Sequence, residues 1–332
     1  MAGPAQVAVL GSGALGCLWA ARLARAGVAT SLLLRGRPQA AKQAVRVESA
    51  WRQAEPPETE EVEVAVEAAA AAGEPLGCVL VATKVHAAAG ALASIAPRLA
   101  PGAVGFVLCN GALALREELA AEPALRGLTL VLGTTTHGSW RRGPFDVVHA
   151  GFGRTWFGLT GQGQAPGPVG AALELLGRSG LCDASALDAA IEARLWQKLA
   201  ANAALNPLTA LWECRNGEVL ANAKGRATSR EVAAEVAAVA AAIGTSGGEH
   251  SLDAEGLYDF IEACARDNAM NRSSMYQDIT ARRRTEIESL NGWIARRGEA
   301  LGVAVPANTR LAEAIRQKEQ RLMSEAESVQ QV

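Results

Sequence analysis

Lys198, Asn202 and Asn206 stand four residues apart in the run Leu195-Trp-Gln-Lys-Leu-Ala-Ala-Asn-Ala-Ala-Leu-Asn-Pro-Leu. At helical pitch that spacing lays them in one stripe, and the Leu and Ala between them make the rest of the helix apolar. Desolvation in an apolar cleft disfavours the ammonium form of a lysine, which makes it a better proton donor when a carbonyl is reduced to an alcohol. The same spacing also suits a solvent-facing lysine followed by two asparagines at a helix end. A second polar run, 271–292, is unusually hydrophilic for a helix bounded by Met, Ile and Leu. Ser274 with Gln277 has the spacing of a capping box, which leaves Ser273 just outside the cap and freer to bind a ligand. Glu286 is one of several charges there, and taken alone it suits a solvated or ion-paired side chain.

A carbonyl reduction needs a hydride as well as a proton. Leu10 ends an apolar strand, and Gly11-Ser12-Gly13-Ala14-Leu15-Gly16 then matches GxGxxG and runs into a helix predicted over 17–26. Gly11 permits the tight turn, Gly13 lets the backbone approach a pyrophosphate, and Gly16 lets helix and strand pack. The helix amino terminus offers free N–H groups and partial positive charge to phosphates. At the end of the second strand a carboxylate would hold the ribose 2′-hydroxyl of NAD, whereas an arginine suits the 2′-phosphate of NADP. The residues there are Leu34-Arg35-Gly36-Arg37, so NADPH/NADP+ is expected, with Arg35 at the position and Arg37 as a loop residue. Ligands of open α/β sheets sit beyond the carboxyl ends of strands, which directs attention to Thr83-Lys84 and to Cys109-Asn110-Gly111. Each is also compatible with an ordinary turn, Asn-Gly being a common turn pair.

These residues need elements to position them. At 332 residues the chain exceeds what one core usually serves, so two domains are expected. Short β-rich runs at 6–10, 29–34, 62–66, 78–82, 104–108 and 128–133 alternate with helical patterns, as βαβ units do. Runs at 145–149 and 155–159 read as an antiparallel hairpin extending the sheet. A Gly-rich loop at 161–168 and one more helix complete a dinucleotide-binding domain over 1–187. From about Ile191 helical periodicity takes over up to a polar tail after Leu322, giving a helical substrate-binding and catalytic domain over 188–332. The fold class is therefore α/β: an N-terminal Rossmann-type doubly wound sheet followed by a mostly α-helical C-terminal domain.

Composition narrows the classes of partner. With 32 Lys and Arg against 34 Asp and Glu the net charge is -2, and no basic block marks a nucleic-acid or anionic-membrane surface. No signal peptide or membrane span is read from the chain. The four histidines lack metal-ligand spacing, so no metal site is expected. The six cysteines are scattered, form no CxxC pair, and read as reduced core residues of a cytoplasmic protein.

Several phrases together resemble one family. They are Gly11-Ser-Gly-Ala-Leu-Gly-Cys-Leu-Trp19, Thr83-Lys84, Asn110-Gly111, Gly133-Thr-Thr-Thr-His137, and Leu195-Trp-Gln-Lys198-Leu-Ala-Ala-Asn202 with Asn206-Pro-Leu-Thr-Ala. Asn216-Gly-Glu, Ser273-Ser-Met-Tyr-Gln-Asp278, Arg284-Thr-Glu286-Ile with Asn291-Gly, and Val305-Pro-Ala-Asn-Thr309 follow in order. The chain resembles the ketopantoate reductases (2-dehydropantoate 2-reductases), NADPH-dependent enzymes of pantothenate biosynthesis, almost end to end. The resemblance implies that Lys198 protonates the C2 oxygen as hydride arrives. It implies that Asn202, Asn206, Asn216 and Ser273, Ser274, Met275 and Tyr276 hold the substrate's carboxylate and hydroxyl. Arg35, Lys84, Asn110 and Ser139 would contact NADPH, and Glu286 would face the nicotinamide ribose or the substrate hydroxyl. The family often has a further glycine where Ala112-Leu113 follow Asn110-Gly111, and the segment from Gln39 to Pro75 matches weakly. The expected partner is a small 2-keto acid, and the expected state a monomer or homodimer. Two alternatives remain open: a related NADPH-dependent reductase of another branched 2-keto acid, and a non-catalytic NADP(H)-binding regulatory protein. The latter would be expected to lose Lys198 or Glu286.

Overall fold

The structure, a computed structural model, describes residues 6–52, 54, 56–160, 167–245, 247 and 250–330, with side chains described as far as residue 324. Most of the expected Gly-rich loop, 161–166, thus lies outside the described residues. The chain divides into two compact units, Met1–Ile191 and Glu192–Val332.

The first unit runs β1 (Gln6–Leu10), α1 (Ala14–Arg25), β2 (Ala29–Leu34), β3 (Lys42–Ser49), β4 (Glu58–Ala68), β5 (Leu76–Val81), α2 (Val85–Ile95), β6 (Leu99–Val107), α3 (Ala112–Ala121), β7 (Thr129–Thr135), β8 (Gly138–Gly143), β9 (Asp146–Gly151), β10 (Thr155–Gly158) and α4 (Gly167–Gly177). The strands form one sheet in the order β10-β7-β6-β5-β1-β2-β4-β3-β9-β8. The six from β7 to β4 are parallel. From β1 the order steps one way through β2 to β4 and the other way through β5 and β6 to β7. The sheet therefore reverses direction beside β1, the Rossmann arrangement. Its central strands are near-continuous Val and Leu because they are buried on both faces: Val7, Val9, Val79 and Leu80 are fully enclosed.

The expected hairpin of 145–149 with 155–159 does not form. β9 pairs antiparallel with β8 and parallel with β3, whereas β10 pairs antiparallel with β7 at the other end of the sheet. Between them the chain is pinned to the end of β7, where Thr136 N–H donates to the Arg154 carbonyl and Arg154 N–H to Thr136 Oγ1, both at 2.9 Å. Neither β3 nor β8 was legible as a strand. β8 reads Gly-Ser-Trp-Arg-Arg-Gly, without apolar alternation, and β3 turns only Val45, Val47 and the polar Ser49 inward among charged neighbours.

Helix α1 explains how so wide a sheet is stabilised. It packs against β2, β3, β4, β8 and β9. Its fully buried Trp19 meets Phe157 of β10 edge-on at 6.1 Å, and Phe157 in turn meets Phe106 at 5.0 Å. Both ends of the sheet thus bend toward α1, burying apolar surface at about 25 cal/mol per Å².

The second unit consists of α5 (Ile191–Trp212), α6 (Asn216–Ala221), α7 (Ala223–Ile243), α8 (Ala254–Asp267), α9 (Ser274–Thr280), α10 (Asn291–Leu301) and α11 (Pro306–Gln330), and among the described residues it has no strand. Helix ends follow local chemistry. Asn222 accepts from Lys224 N–H to start α7, Gly244 ends it at φ +80°, and Asp253 accepts from Gly256 N–H to start α8. The polar run 271–292 is not one helix: α9 stops at Thr280, Arg282 takes φ +50°, and a 3₁₀ turn precedes α10. The segment past Leu322 continues as α11. No helix among the described residues is long and apolar enough to cross a membrane. All six cysteines are free thiols, but only Cys17 and Cys78 are buried; Cys109, Cys182, Cys214 and Cys264 are half-buried, so the expectation of six core residues holds for two.

Candidate active site

In the first unit the register pairs Leu10 with Val81 and Val81 with Val107, so the carboxyl ends of β1, β5 and β6 lie side by side. Gly11, Thr83-Lys84 and Cys109-Asn110 leave the sheet along that one edge. Two of the three motif glycines are demanded by the turn itself. Gly11 has φ +116°, and a β-carbon on Gly16 would run into the Gly11 carbonyl. Gly13 differs: its backbone is extended, it is exposed, and an added β-carbon would meet only the Ala82 carbonyl at 3.7 Å. Nothing in the protein requires glycine there, and the space beside it is open. Gly13 is also the N-cap of α1 with no side-chain cap, so the first N–H groups of the helix remain available to an anion. Ser12, Ala14 and Leu15 are half-buried around it.

Lys84 is half-buried at the N-cap of α2, and Asn110 is half-buried just before Gly111, which caps α3 at φ +72°. Ala112 and Leu113 are buried in the first turn of α3. Arg35 and Arg37 are exposed beyond the end of β2, with no carboxylate among residues 34–38. Ser139 lies in β8, and its Oγ is buried without a hydrogen-bond partner, as is Thr83 Oγ1 beside Gly11. From the same strand Arg141 Nη1 donates to the Ser12 carbonyl at 3.3 Å, which ties β8 to the glycine loop. Sequence reasoning missed Arg141, because only the curling of the sheet brings it to a loop 129 positions earlier. Open space at Gly13, an uncapped helix start and two unpartnered hydroxyls fit the phosphates and riboses of a dinucleotide.

The same unit holds a buried histidine pair that the sequence did not suggest. His137 Nδ1 and His149 Nε2 are 3.1 Å apart, and His137 Nε2 is 3.0 Å from the Leu181 carbonyl. A carbonyl only accepts, so Nε2 carries the proton and Nδ1 accepts, from His149 and from Gly153 N–H. Burial first, then His137 and Arg22, push His149 down to about 4; burial lowers His137 as well. Among the described residues no group of three His, Cys, Asp or Glu is placed to hold a metal ion.

In the second unit the stripe predicted from the sequence lies on α5, which continues through Pro207 to Trp212. Asn206 is buried, and Lys198 and Asn202 are half-buried among buried Leu195, Leu199, Ala201 and Leu205. Burial lowers the Lys198 pKa from the ordinary lysine value, and the neighbouring Cys264 thiol of α8 partly opposes this. Ser273, not Ser274, is the N-cap of α9: its Oγ accepts from Tyr276 N–H at 3.0 Å. Its hydroxyl is engaged further. Thr209 Oγ1 donates to the Asn206 carbonyl at 2.9 Å, so in the 2.6 Å contact between Thr209 and Ser273 it is Ser273 that donates. The expected freedom of Ser273 is thus reduced to one lone pair, and the serine is locked to α5 beside Asn206. Ser274 and Tyr276 are half-buried, whereas Met275 is buried.

Asn216 joins the same neighbourhood. Its backbone N–H donates to Asn271 O at 3.0 Å and its Nδ2 to Asn268 O at 3.2 Å, while its Oδ1 is buried without a partner and so available to a donor. Asn268 N–H returns to the Cys264 carbonyl on α8. Hydrogen bonds therefore link Asn206 with Ser273, and Asn216 with the turn leading into Ser273. Glu286 is buried just before the 3₁₀ turn at 287–289.

A parallel sheet with a dinucleotide turn, followed by a helical unit holding a desolvated lysine among amides, defines an oxidoreductase. Residues 7–162 match Ketopantoate reductase PanE/ApbA, and residues 190–319 match Ketopantoate reductase PanE/ApbA C terminal. Similar curated proteins include the 2-dehydropantoate 2-reductase of Shigella flexneri, 36% identical over 72% of this chain and 73% of its own. That of Vibrio cholerae is 31% identical over 95% of this chain and 98% of its own. Among solved structures, the PanE/ApbA family ketopantoate reductase of Ralstonia eutropha JMP134 superposes with a TM-score of 0.78 at 28% identity, covering 96% of this chain and 99% of that one. The chain belongs to the ketopantoate reductase family.

Proposed function

We propose that this protein reduces 2-dehydropantoate to (R)-pantoate with NADPH, the reduction that supplies pantoate for pantothenate, and does so in the cytoplasm. The observation behind this reading is Lys198, half-buried and desolvated on α5 in line with Asn202 and Asn206 within a chain of this family. The nicotinamide cofactor, when bound, supplies the hydride. Gly11 to Gly16 at the start of α1 would hold its pyrophosphate, Arg35 its 2′-phosphate, and Lys84, Asn110, Ser139 and Glu286 its remaining polar groups.

The protein's own part is to bind and orient the keto acid and to deliver a proton. Lys198 gives its proton to the oxygen at C2, and desolvation makes that proton easier to release. Asn202, Asn206 and the Ser273 to Tyr276 turn hold the carboxylate, and the unpartnered Asn216 Oδ1 accepts from the substrate hydroxyl. Glu286 serves the substrate hydroxyl or the ribose. The test is oxidation of NADPH with 2-dehydropantoate beside a panel of other 2-keto acids. Clear preference for 2-dehydropantoate supports the proposal. Preference for another keto acid would overturn the substrate assignment, and binding of NADPH without turnover would overturn the enzymatic one.

A further inference from the structure

Pro207 lies inside α5 and has no N–H, so the Ala203 carbonyl one turn earlier loses its helical donor. A buried carbonyl left in that state costs about 1–3 kcal/mol. The carbonyl is not left so: Asn291 Nδ2, from the first residue of α10, donates to Ala203 O at 2.9 Å. The orientation of that amide is dictated by a chain of buried partners. Asn291 Nδ2 also donates to Asn308 Oδ1 at 3.0 Å, and Asn308 Nδ2 donates to Glu235 Oε2 at 2.7 Å. Glu235 on α7 further accepts the Ala307 and Asn308 backbone N–H groups at 2.7 and 2.9 Å, capping the start of α11. Asn291 and Asn308 are fully buried. Two residues beyond Asn291, Trp293 packs on Trp196 of α5 with ring centroids 5.6 Å apart. Helix α10 therefore grips α5 at residues 196 and 203, on either side of Lys198 and next to Asn202.

We infer that Asn291 is a positioning residue for Lys198: its amide supplies the hydrogen bond that Pro207 denies to Ala203, and so fixes the turns of α5 that carry Lys198 and Asn202. The inference rests on the proposed role of Lys198, but its geometry involves only the helical unit. It also gives a use to Asn291-Gly and Val305-Pro-Ala-Asn-Thr309, two phrases to which no substrate contact is assigned. Glu235 and Asn308 reach α5 only by orienting the Asn291 amide.

The decisive comparison is between wild type, Asn291→Ala, Pro207→Ala and the double variant, each as the full chain. Pro207→Ala returns an N–H at position 207 and makes the Asn291 amide dispensable. Expected for Asn291→Ala is a fall in kcat of about 10- to 100-fold with the dissociation constant for NADPH unchanged, and recovery to within about threefold of wild type in the double variant. A second readout needs no turnover: the pH dependence of Lys198 acetylation by trace acetic anhydride, followed by mass spectrometry. Cys264 is the titratable group facing the lysine. The labelling midpoint is expected to rise in Asn291→Ala and to return in the double variant. Unchanged kcat and labelling in Asn291→Ala, or loss that Pro207→Ala does not repair, would overturn the inference. If Asn291→Ala does not fold, the double variant is compared with Pro207→Ala: equal kcat and labelling support the inference, and a deficit of more than about threefold overturns it. Absence of turnover in the wild type would remove the proposed reaction while leaving the labelling comparison intact.

Discussion

The glycine loop of the first unit and the lysine stripe of the second solve different problems in different ways. The loop presents backbone: the site proposed for the cofactor's phosphates is the uncapped start of α1, its geometry is set by Gly11 and Gly16, and its parts are neighbours in sequence. The lysine site presents side chains on α5, α6 and α9, and they are brought together by contacts across up to 64 positions in the chain. A backbone site tolerates changes in the side chains around it but not in its glycines. A side-chain site depends on the packing behind it, where a proline, two asparagines and a buried glutamate matter although none is assigned a substrate contact.

That contrast can be broken or sharpened by substitution. The largest effect is expected at the lysine: Lys198→Ala should lower kcat by about 10²- to 10⁴-fold with little change in the affinity for NADPH, read from initial rates and from ligand titration. A variant retaining more than a tenth of the rate would remove the lysine from the chemistry. The alkaline fall of kcat should lie below the ordinary lysine value of 10.5, because burial makes Lys198 surrender its proton at lower pH and the donor form is lost as pH rises through that point.

The glycines should separate into two kinds. Gly16→Ala should cost about 1–3 kcal/mol in denaturant unfolding, since the new β-carbon meets the Gly11 carbonyl. Gly13→Ala should change stability by less than about 0.5 kcal/mol yet weaken NADPH about tenfold or more, because only the ligand needs that space. Equal destabilisation by both would show that Gly13 is structural. Next in size, Arg35→Ala should weaken NADPH about tenfold and leave NADH unchanged, the loss of one charge-assisted contact to a 2′-phosphate. Similar affinity changes for both cofactors would contradict that assignment.

The smallest effect concerns acid. Burial holds His149 and His137 below the ordinary histidine value of 6.5, so the unfolded chain takes up protons that the folded unit refuses. Stability is complete above about pH 6.5 and falls as pH drops toward the His149 value of about 4. Urea unfolding across that range should show the decline, and His149→Phe should flatten it even if it lowers stability at neutral pH.

How much of this was legible in the sequence varies with the range of the interaction. β1 and β2 were readable to the residue because each closes on an apolar run, Val-Ala-Val-Leu or Leu-Leu-Leu, that Gly11 or Arg35 ends. β8 was not, because an exposed edge strand with two arginines has no periodicity to find, and with it went the pairing of β9 and the approach of Arg141 to Ser12. The stripe Lys198, Asn202, Asn206 was readable because helical pitch is local. The cap on α9 was misplaced by one residue, since Ser273 and Ser274 are alike in sequence and only the bond to Thr209 distinguishes them.

By itself the sequence determined the dinucleotide turn, the alternation that makes a parallel sheet, the helical second half and the spacing of the lysine stripe. All of these follow from backbone sterics and periodicities that act within a few turns of chain. Tertiary structure alone decided which strands sit at the sheet ends, that α1 is enclosed by them, that two histidines twelve residues apart share a buried contact, and that Asn291 answers the gap left by Pro207. Those outcomes depend on satisfying buried polar groups and filling space between segments from 12 to more than 100 residues apart, and no local pattern encodes the partner.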